Sequence, residues 1–267
     1  MGILPIAVRR NLLIFKNLLY RDFVVLKKDF TSDLINIISW PASLTITFGY
    51  VLPAFDMKES YGSFLLVGSL ASTFFYLAIG LASELVNDFE SLRMVDALII
   101  VPITSYRTLL FARVATFTLY SVTLTAPLLP VGKMLLQDRL DLTYFSFGKF
   151  FVMMFASGAF YGFFALWLAS WIKTGRALSN VWRRIYTPMQ LLGCYWFSFA
   201  MAVKVFSWTG CITLLNPLTY MTEGIRSSVF GPAEYINFWL ALFVLLVYTA
   251  LFGGFAIWRL RKSLDLL

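Results

Sequence analysis

The sequence predicts an all-helical membrane protein of six transmembrane helices. Three observations point there: 60% of the 267 residues are hydrophobic and only 13% are charged, where soluble domains average about 45–50% and about 25%; long apolar stretches recur without a charge; and basic residues cluster between alternate stretches. A net charge of +8 on such a chain belongs at a membrane surface and not on nucleic acid.

Seven stretches contain no Lys, Arg, Asp or Glu: Leu34–Phe55, Ser60–Ser83, Val114–Gly132, Phe150–Ile172, Ile185–Val203, Val205–Thr222 and Tyr235–Trp258. Crossing a core of roughly 30 Å takes about 20 helical residues. Six of the seven read as continuous apolar helices of that order. The sixth, Val205–Thr222, carries Ser207, Thr209, Gly210 and Thr213 before Asn216-Pro217, which interrupts a helix. It is expected to be a re-entrant or surface-lying element on the outer face.

Charge orients this layout, because cytoplasmic loops are enriched in Lys and Arg. With both termini inside, sixteen of the 22 basic residues fall on the cytoplasmic side: Arg9, Arg10, Lys16, Arg21, Lys27 and Lys28 at the start, Arg93, Arg107 and Arg113 in the second loop, Lys173, Arg176, Arg183 and Arg184 in the fourth, and Arg259, Arg261 and Lys262 in the tail. Lys58, Lys133, Arg139, Lys149, Lys204 and Arg226 fall outside. A seventh crossing would put the basic tail on the wrong side. No secretory signal is visible in the first twenty-eight residues. The domain expectation is one transmembrane unit over 1–267: an interfacial helix over 1–33, a bundle over 34–258 and a tail over 259–267.

On a wheel of about 100° per residue, Arg10, Asn17, Arg21 and Lys28 share one line, while Val8, Leu12, Phe15, Leu19, Phe23 and Leu26 lie opposite. This is the pattern of an amphipathic helix in the cytoplasmic interface, basic side toward lipid headgroups, acting as an anchor or also touching a partner. The second loop, 84–113, concentrates Glu84, Asp88, Glu90 and Asp96, with Leu85, Phe89, Leu92, Val95 and Ile99 forming one apolar stripe. Pro102 ends or bends that helix. The stripe favours docking onto a cytosolic partner over a solvated connector. Gly68 and Ser72, and Gly158 and Gly162, are four apart, a spacing that lets helix backbones approach closely, within one subunit or across a dimer seam.

Several chemistries are excluded. There is no His, so the usual base near neutral pH and the commonest metal ligand are missing. Cys194 and Cys211 fit neither a redox pair nor a zinc half-site. No stretch fits G-x-x-x-x-G-K-[ST]: Gly132-Lys133 and Gly148-Lys149 lack the upstream Gly and the following hydroxyl. None of the 14 acidic residues lies inside a charge-free span, which argues against a self-powered proton-coupled carrier. A membrane enzyme acting on lipid or lipid-linked substrates has only Asn216, Glu223 and Arg226 as clustered polar candidates, and stands as the alternative reading.

The segment Asn216-Pro217-Leu218-Thr219-Tyr220-Met221-Thr222-Glu223-Gly224-Ile225-Arg226 and the loop running from Leu92 through Asp96 to Pro102-Ile103-Thr104-Ser105 resemble the membrane subunits of ABC-2 type exporters. The first is similar to that family's N-P-x-T-Y followed by an acid and an Arg before the last span. The second is similar to its coupling-helix region, although Met94 stands where the family has Gly. Span number, orientation, first helix and length also match, so the resemblance covers essentially the whole chain. It implies a permease that dimerises, as a homodimer, in a bacterial cytoplasmic (inner) membrane and binds two copies of a separate ABC ATPase. That ATPase would carry the ATP and Mg, with no cofactor in this chain. It further implies coupling through Asp88, Arg93 and Asp96, an outer gate at Asn216, Tyr220, Glu223 and Arg226, and a substrate path lined by Phe48, Tyr50, Tyr195, Trp196 and Phe199. The bland alternatives are that the Glu223/Arg226 pair only fixes a loop and that the aromatics face lipid. The substrate class implied is amphipathic: a lipid-linked saccharide, a lipid or a drug.

Overall fold

The computed structural model describes residues 6–55, 58, 60–90, 106–172, 177 and 180–264. These form helices and connecting turns, with no strand among the described residues. Five helical stretches are long and apolar enough to cross a membrane: Arg10–Phe55, Tyr61–Asn87, Arg107–Arg139, Phe147–Trp171 and Phe238–Leu260.

Helix α1 (Ile6–Ile46) continues through a π turn (Thr47–Val51) and a 3₁₀ turn (Leu52–Phe55). The boundary expected after residue 33 is therefore no break: the amphipathic segment and the first apolar stretch are one helix. No Gly or Pro occurs between Ile6 and Trp40 to interrupt it. Asp33, which would suit a new N-cap, instead accepts a hydrogen bond from the Tyr120 hydroxyl on a neighbouring helix. One consequence changes the charge map. Asp22, Asp29 and Asp33 belong to the same helix as the apolar 34–55 stretch, and Asp22 is buried.

Helix α2 (Tyr61–Glu90) packs back along α1, and α3 (Tyr106–Thr125) runs beside both. The expected third span bends at Ala126-Pro127, where α4 (Leu128–Leu136) begins. Gln137 closes α4 in the left-handed region, φ 50, while the Lys133 ammonium reaches over to the Gln137 and Leu140 carbonyls at 2.7 and 2.8 Å. That is the cation-at-C-terminus arrangement a helix dipole favours. Helix α5 (Phe147–Trp171) is the central post, packed on α2, α3 and the last helix, α10 (Phe238–Leu264).

The expected fifth span, Ile185–Val203, is not one helix. After a π turn at Trp182–Tyr186, α6 (Thr187–Leu192) stops at Gly193, and α7 (Phe199–Val205) starts only after five irregular residues and Ser198. Neither piece reaches the about 20 residues a crossing helix needs. Then follow α8 (Ser207–Leu214) and α9 (Pro217–Phe230).

Packing separates core from lipid side. Tyr161 and Tyr186 both stack on the buried Phe75 ring, with centroids 5.3 and 4.6 Å from it. Helix α10 instead exposes Trp239, Phe243, Val247, Leu251, Phe255 and Trp258. Trp239 and Trp258 stand about 28 Å apart at 1.5 Å rise per residue, close to the hydrocarbon thickness whose edges aromatic belts mark. Arg259 follows immediately, its guanidinium 3.6 Å over the Trp171 ring.

Gly158 and Gly162 on α5 face α3 of the same chain. A Cβ at Gly158 would lie 3.0 Å from the Thr118 Cα, and one at Gly162 3.3 Å from the Val114 Cα. Neither neighbour is a side chain free to turn aside. Gly158→Val and Gly162→Val are each expected to cost about 1–3 kcal/mol, read as a lower unfolding temperature of the detergent-solubilised chain. Unchanged unfolding would show that this seam does not hold the subunit together.

Candidate functional site

The site begins with a defect. Where α6 ends at Leu192, Gly193 is followed by Cys194 at φ 55, and the backbone of 193–198 makes no regular helix. Gly193, Cys194 and Tyr195 are nevertheless buried, and a buried backbone polar group without a partner is costly. Four successive carbonyls there, those of Gly193 to Trp196, each accept from a side chain of another helix.

Thr222 on α9 donates to the Gly193 carbonyl at 2.9 Å. The Arg226 guanidinium donates to the carbonyls of Cys194 and, at 2.8 Å, Tyr195; it also reaches Phe64 O at 3.4 Å. The Tyr61 hydroxyl donates to Trp196 O at 2.7 Å. On the far side of the break, the Phe199 amide, first of α7, donates to Glu223 Oε1 at 3.2 Å. Ile236, just before α10, donates to Glu223 Oε2 at 3.3 Å. Glu223 and Arg226 pair at 3.5 Å with both side chains at 0% exposure. The guanidinium lies 3.5 Å over the Phe64 ring, a stacking that suits Arg's weakly hydrated planar cation.

Gly68 makes this possible. A Cβ there would fall 2.5 Å from Arg226 Nη2 and 3.2 Å from Tyr195 O, so only the bare α-carbon admits both the guanidinium and the irregular backbone against α2.

The Asn216–Tyr220 segment works in the same way. Asn216 caps α9, its Oδ1 accepting from the Leu218 amide at 3.0 Å, while its Nδ2 donates to Met189 O at 2.6 Å on α6. Pro217 occupies the first helical position, where no amide hydrogen is needed. Thr219 donates to Thr213 O at 2.7 Å and Tyr220 to Leu214 O at 2.8 Å. Tyr248 of α10 donates to Leu215 O at 3.1 Å. The last carbonyls of α8, which have no intrahelical partner, are thereby covered.

Depth follows from these contacts. Tyr248 lies ten residues into α10, so the Leu215–Asn216 turn stands about 15 Å from that helix's start. The opposite end of α9 returns to the level where α5 begins, since the Ser146 amide donates to Ser228 O at 2.9 Å.

The structure brings together all four residues expected at an outer gate: Glu223 and Arg226 as a pair, Asn216 and Tyr220 at the N-terminal turn of the same buried helix. Of the expected path residues, Phe48, Tyr195 and Trp196 meet, with Phe48–Trp196 centroids at 6.1 Å and Tyr195–Trp196 at 4.8 Å. Tyr195 is completely buried. Phe199 belongs to the clamp through its amide. Tyr50 turns away, donating to Leu135 O at 2.6 Å under the Arg139 guanidinium, 4.5 Å from the ring centre. Asp88 lies in α2, near its end; Arg93 and Asp96 lie outside the described residues, as does Pro102-Ile103-Thr104-Ser105. Sequence reasoning missed Tyr61 and Phe64, whose importance depends on a partner more than a hundred positions away; it marked Gly68 only for helix packing and quoted Thr222 within the Asn216–Arg226 segment without giving it a role.

A model of the family described as ABC-2 type transporter matches residues 14–230. No curated protein matches the chain.

Breaking a buried ion pair from one side typically costs about 3–5 kcal/mol, and here it also orphans two carbonyls. Arg226→Ala is expected to lower the unfolding temperature of the purified chain far more than Tyr220→Phe, which removes one hydrogen bond worth about 1 kcal/mol. Equal stability of the two variants would sink the clamp assignment.

Proposed function

The chain belongs to the ABC-2 type transporter family, and we propose that it is the permease subunit of an ATP-driven exporter of amphipathic molecules. The observation that carries this reading is the extent of the match. It runs from within the amphipathic part of α1 to the last residue of α9 and so takes in the acidic, striped second loop and the Asn216–Arg226 element together. Energy would come from a separate ATPase, two copies on a homodimer of this chain, because the sequence has no phosphate-binding loop. Docking through 84–104, with Asp88, Arg93 and Asp96, fits an amphipathic acidic segment at the cytoplasmic end. ATP and Mg would reside in that partner.

In this reading the broken segment at 180–205 counts as the fifth crossing. Helices α8 and α9 enter and leave by the outer face, because their turn lies only about 15 Å deep, and close the path from that side. Both termini are then cytoplasmic, in a bacterial inner membrane. Trp196 and Phe48 stand against this closure, with the buried Tyr195 ring behind Trp196, and would meet a lipid-linked saccharide, lipid or drug on its way out. The membrane-enzyme alternative is disfavoured by the clamp itself: Glu223 and Arg226 are inaccessible, and Glu223 is held by two backbone amides in addition to Arg226.

Purified alone, the chain is expected to hydrolyse no ATP and, expressed with its genetic neighbours, to copurify with an ATPase subunit; Asp96→Lys should weaken that association without preventing membrane insertion. Full assembly and transport by the Asp96→Lys protein would refute the coupling assignment. For orientation, single cysteines in a Cys211→Ser background, which removes the exposed native thiol, should be labelled from outside at position 139 and only from inside at 176 and 262. External labelling at 262 would reverse the topology.

A further inference from the structure

An apolar groove of about 360 Å³ lies between the end of α6 and the α7–α8 hairpin, walled by Leu192, Phe197, Met201, Val205, Trp208 and Ile212. It falls at the small end of the about 300–1,000 Å³ that ligand sites occupy, which suits one slender chain. Two threonines border it, and neither offers it a hydroxyl. Thr209 Oγ1 lies 2.6 Å from both the Ala202 and the Phe206 carbonyl, and Thr213 donates to Gly210 O at 2.8 Å. With its polar atoms spent on main chain, the wall gains nothing from a hydrogen-bonding ligand and takes hydrocarbon.

One cation stands at the edge of this groove. From Tyr195 to Thr222 the only charged residue is Lys204, three positions after Met201 and one before Val205, which both line the groove. Lys204 is exposed and forms no ion pair among the described residues. The nearest acid in the sequence, Glu223, is committed to Arg226 and two backbone amides. An unneutralised ammonium beside a wall that accepts only hydrocarbon complements an anion carrying an acyl tail.

Depth fits a lipid standing upright. The Glu223 carboxylate accepts from the amides of both Phe199 and Ile236, so α7 starts level with α10. The eight residues of α8 span about 12 Å and end at the Leu215 turn, about 15 Å below the start of α10. The Lys204–Phe206 stretch before α8 therefore returns to within a few Å of that level. Phe206 and Trp208, 58% and 61% exposed and stacked at 6.2 Å, stand there as aromatic residues do at a membrane interface. Leu192 and Ile212 lie deeper. Ile212 is three residues from Leu215, and Leu192 is three from Met189, whose carbonyl Asn216 holds at the turn; both are about 5 Å above the turn. The groove thus runs from headgroup level to about 10 Å into the hydrocarbon.

We propose that this groove binds one acyl chain of an anionic glycerophospholipid, whose phosphate pairs with the Lys204 ammonium. A lipid seated there bridges the end of α6 to the α7–α8 hairpin. The site requires only that the chain lies in a bilayer, so it stands or falls apart from the permease reading.

The test is photolabelling of the full chain in phosphatidylcholine vesicles. These contain a trace of phosphatidylglycerol, or of phosphatidylcholine, with a diazirine on one acyl chain, and labelled peptides are mapped by mass spectrometry. Phosphatidylglycerol is expected to label 197–212 about fivefold more than phosphatidylcholine does, the ~1 kcal/mol that one lysine is worth against anionic lipid. The exposed face of α10 around Phe243 and Leu251 is the control, labelled equally by both. Lys204→Gln, which changes one exposed side chain, should bring the ratio at 197–212 down to that of α10. Met201→Trp, which fills the groove, should lower labelling there by both lipids. An equal ratio in the parent, an unchanged preference in Lys204→Gln, or undiminished labelling of Met201→Trp would each overturn the site. If Met201→Trp does not elute from gel filtration like the parent, Ile212→Phe takes its place under the same criterion. Absence of label from 197–212 would overturn the site as well, and a bismaleimide joining two chains through the exposed Cys211 would then identify a second copy as the occupant.

Discussion

The structure is organised around one constraint: an irregular stretch of backbone, 193–198, is buried in an apolar helical bundle. Inside a bilayer such a stretch is tolerated only where protein satisfies its polar groups. The Glu223–Arg226 pair does this on both sides of the break, Arg226 serving the carbonyls that α6 leaves behind and Glu223 the first amide of α7. Two opposite charges at 0% exposure would be a poor bargain as an isolated pair, since desolvation rivals their attraction. They are stable here because each is also a hydrogen-bond partner of backbone groups at the break.

Much follows from that arrangement. Helix α9 must be buried along its whole length to carry both charges inward, so its small residues are steric necessities. A Cβ on Gly224 would fall 2.2 Å from the Met153 side chain of α5, as one on Gly68 would meet Arg226. The hydroxyls and the amide of Asn216, Thr219, Tyr220 and Thr222 each go to a main-chain group. Together they hold the ends of α6 and α8 to one rigid helix. A short sequence motif that looks like a functional signature is, atom by atom, a device for terminating helices inside a membrane.

Reading the chain from its sequence succeeded where one segment carries its own signal. Charge-free length marked the apolar elements, Asn216-Pro217 marked a true helix start, and the three-residue spacing of Glu223 and Arg226 correctly suggested a pair on one face. It faltered where the signal is relational. Helix α1 runs on past residue 33 with the Asp33 carboxylate taken by Tyr120, and charge counting split that helix because it treated every acid as a boundary. The break at Gly193 was hidden because Ile185–Val203 is as apolar as its neighbours. Its freed carbonyls are received by an arginine some thirty residues later.

The molecule holds two polar systems, the clamp and the lining of the α1–α3 cavity. In the clamp, the carboxylate and both terminal guanidinium nitrogens are committed to fixed partners without solvent access, so the pair has little capacity to recognise a passing molecule. In the lining of the α1–α3 cavity, one buried acid, Asp22, is shared by Arg21 and Arg113, and Asp33 accepts from the Tyr120 hydroxyl. A charge that is neutralised and buried by backbone partners stabilises architecture. The region whose sequence pattern looked most functional is therefore built, residue by residue, as framework.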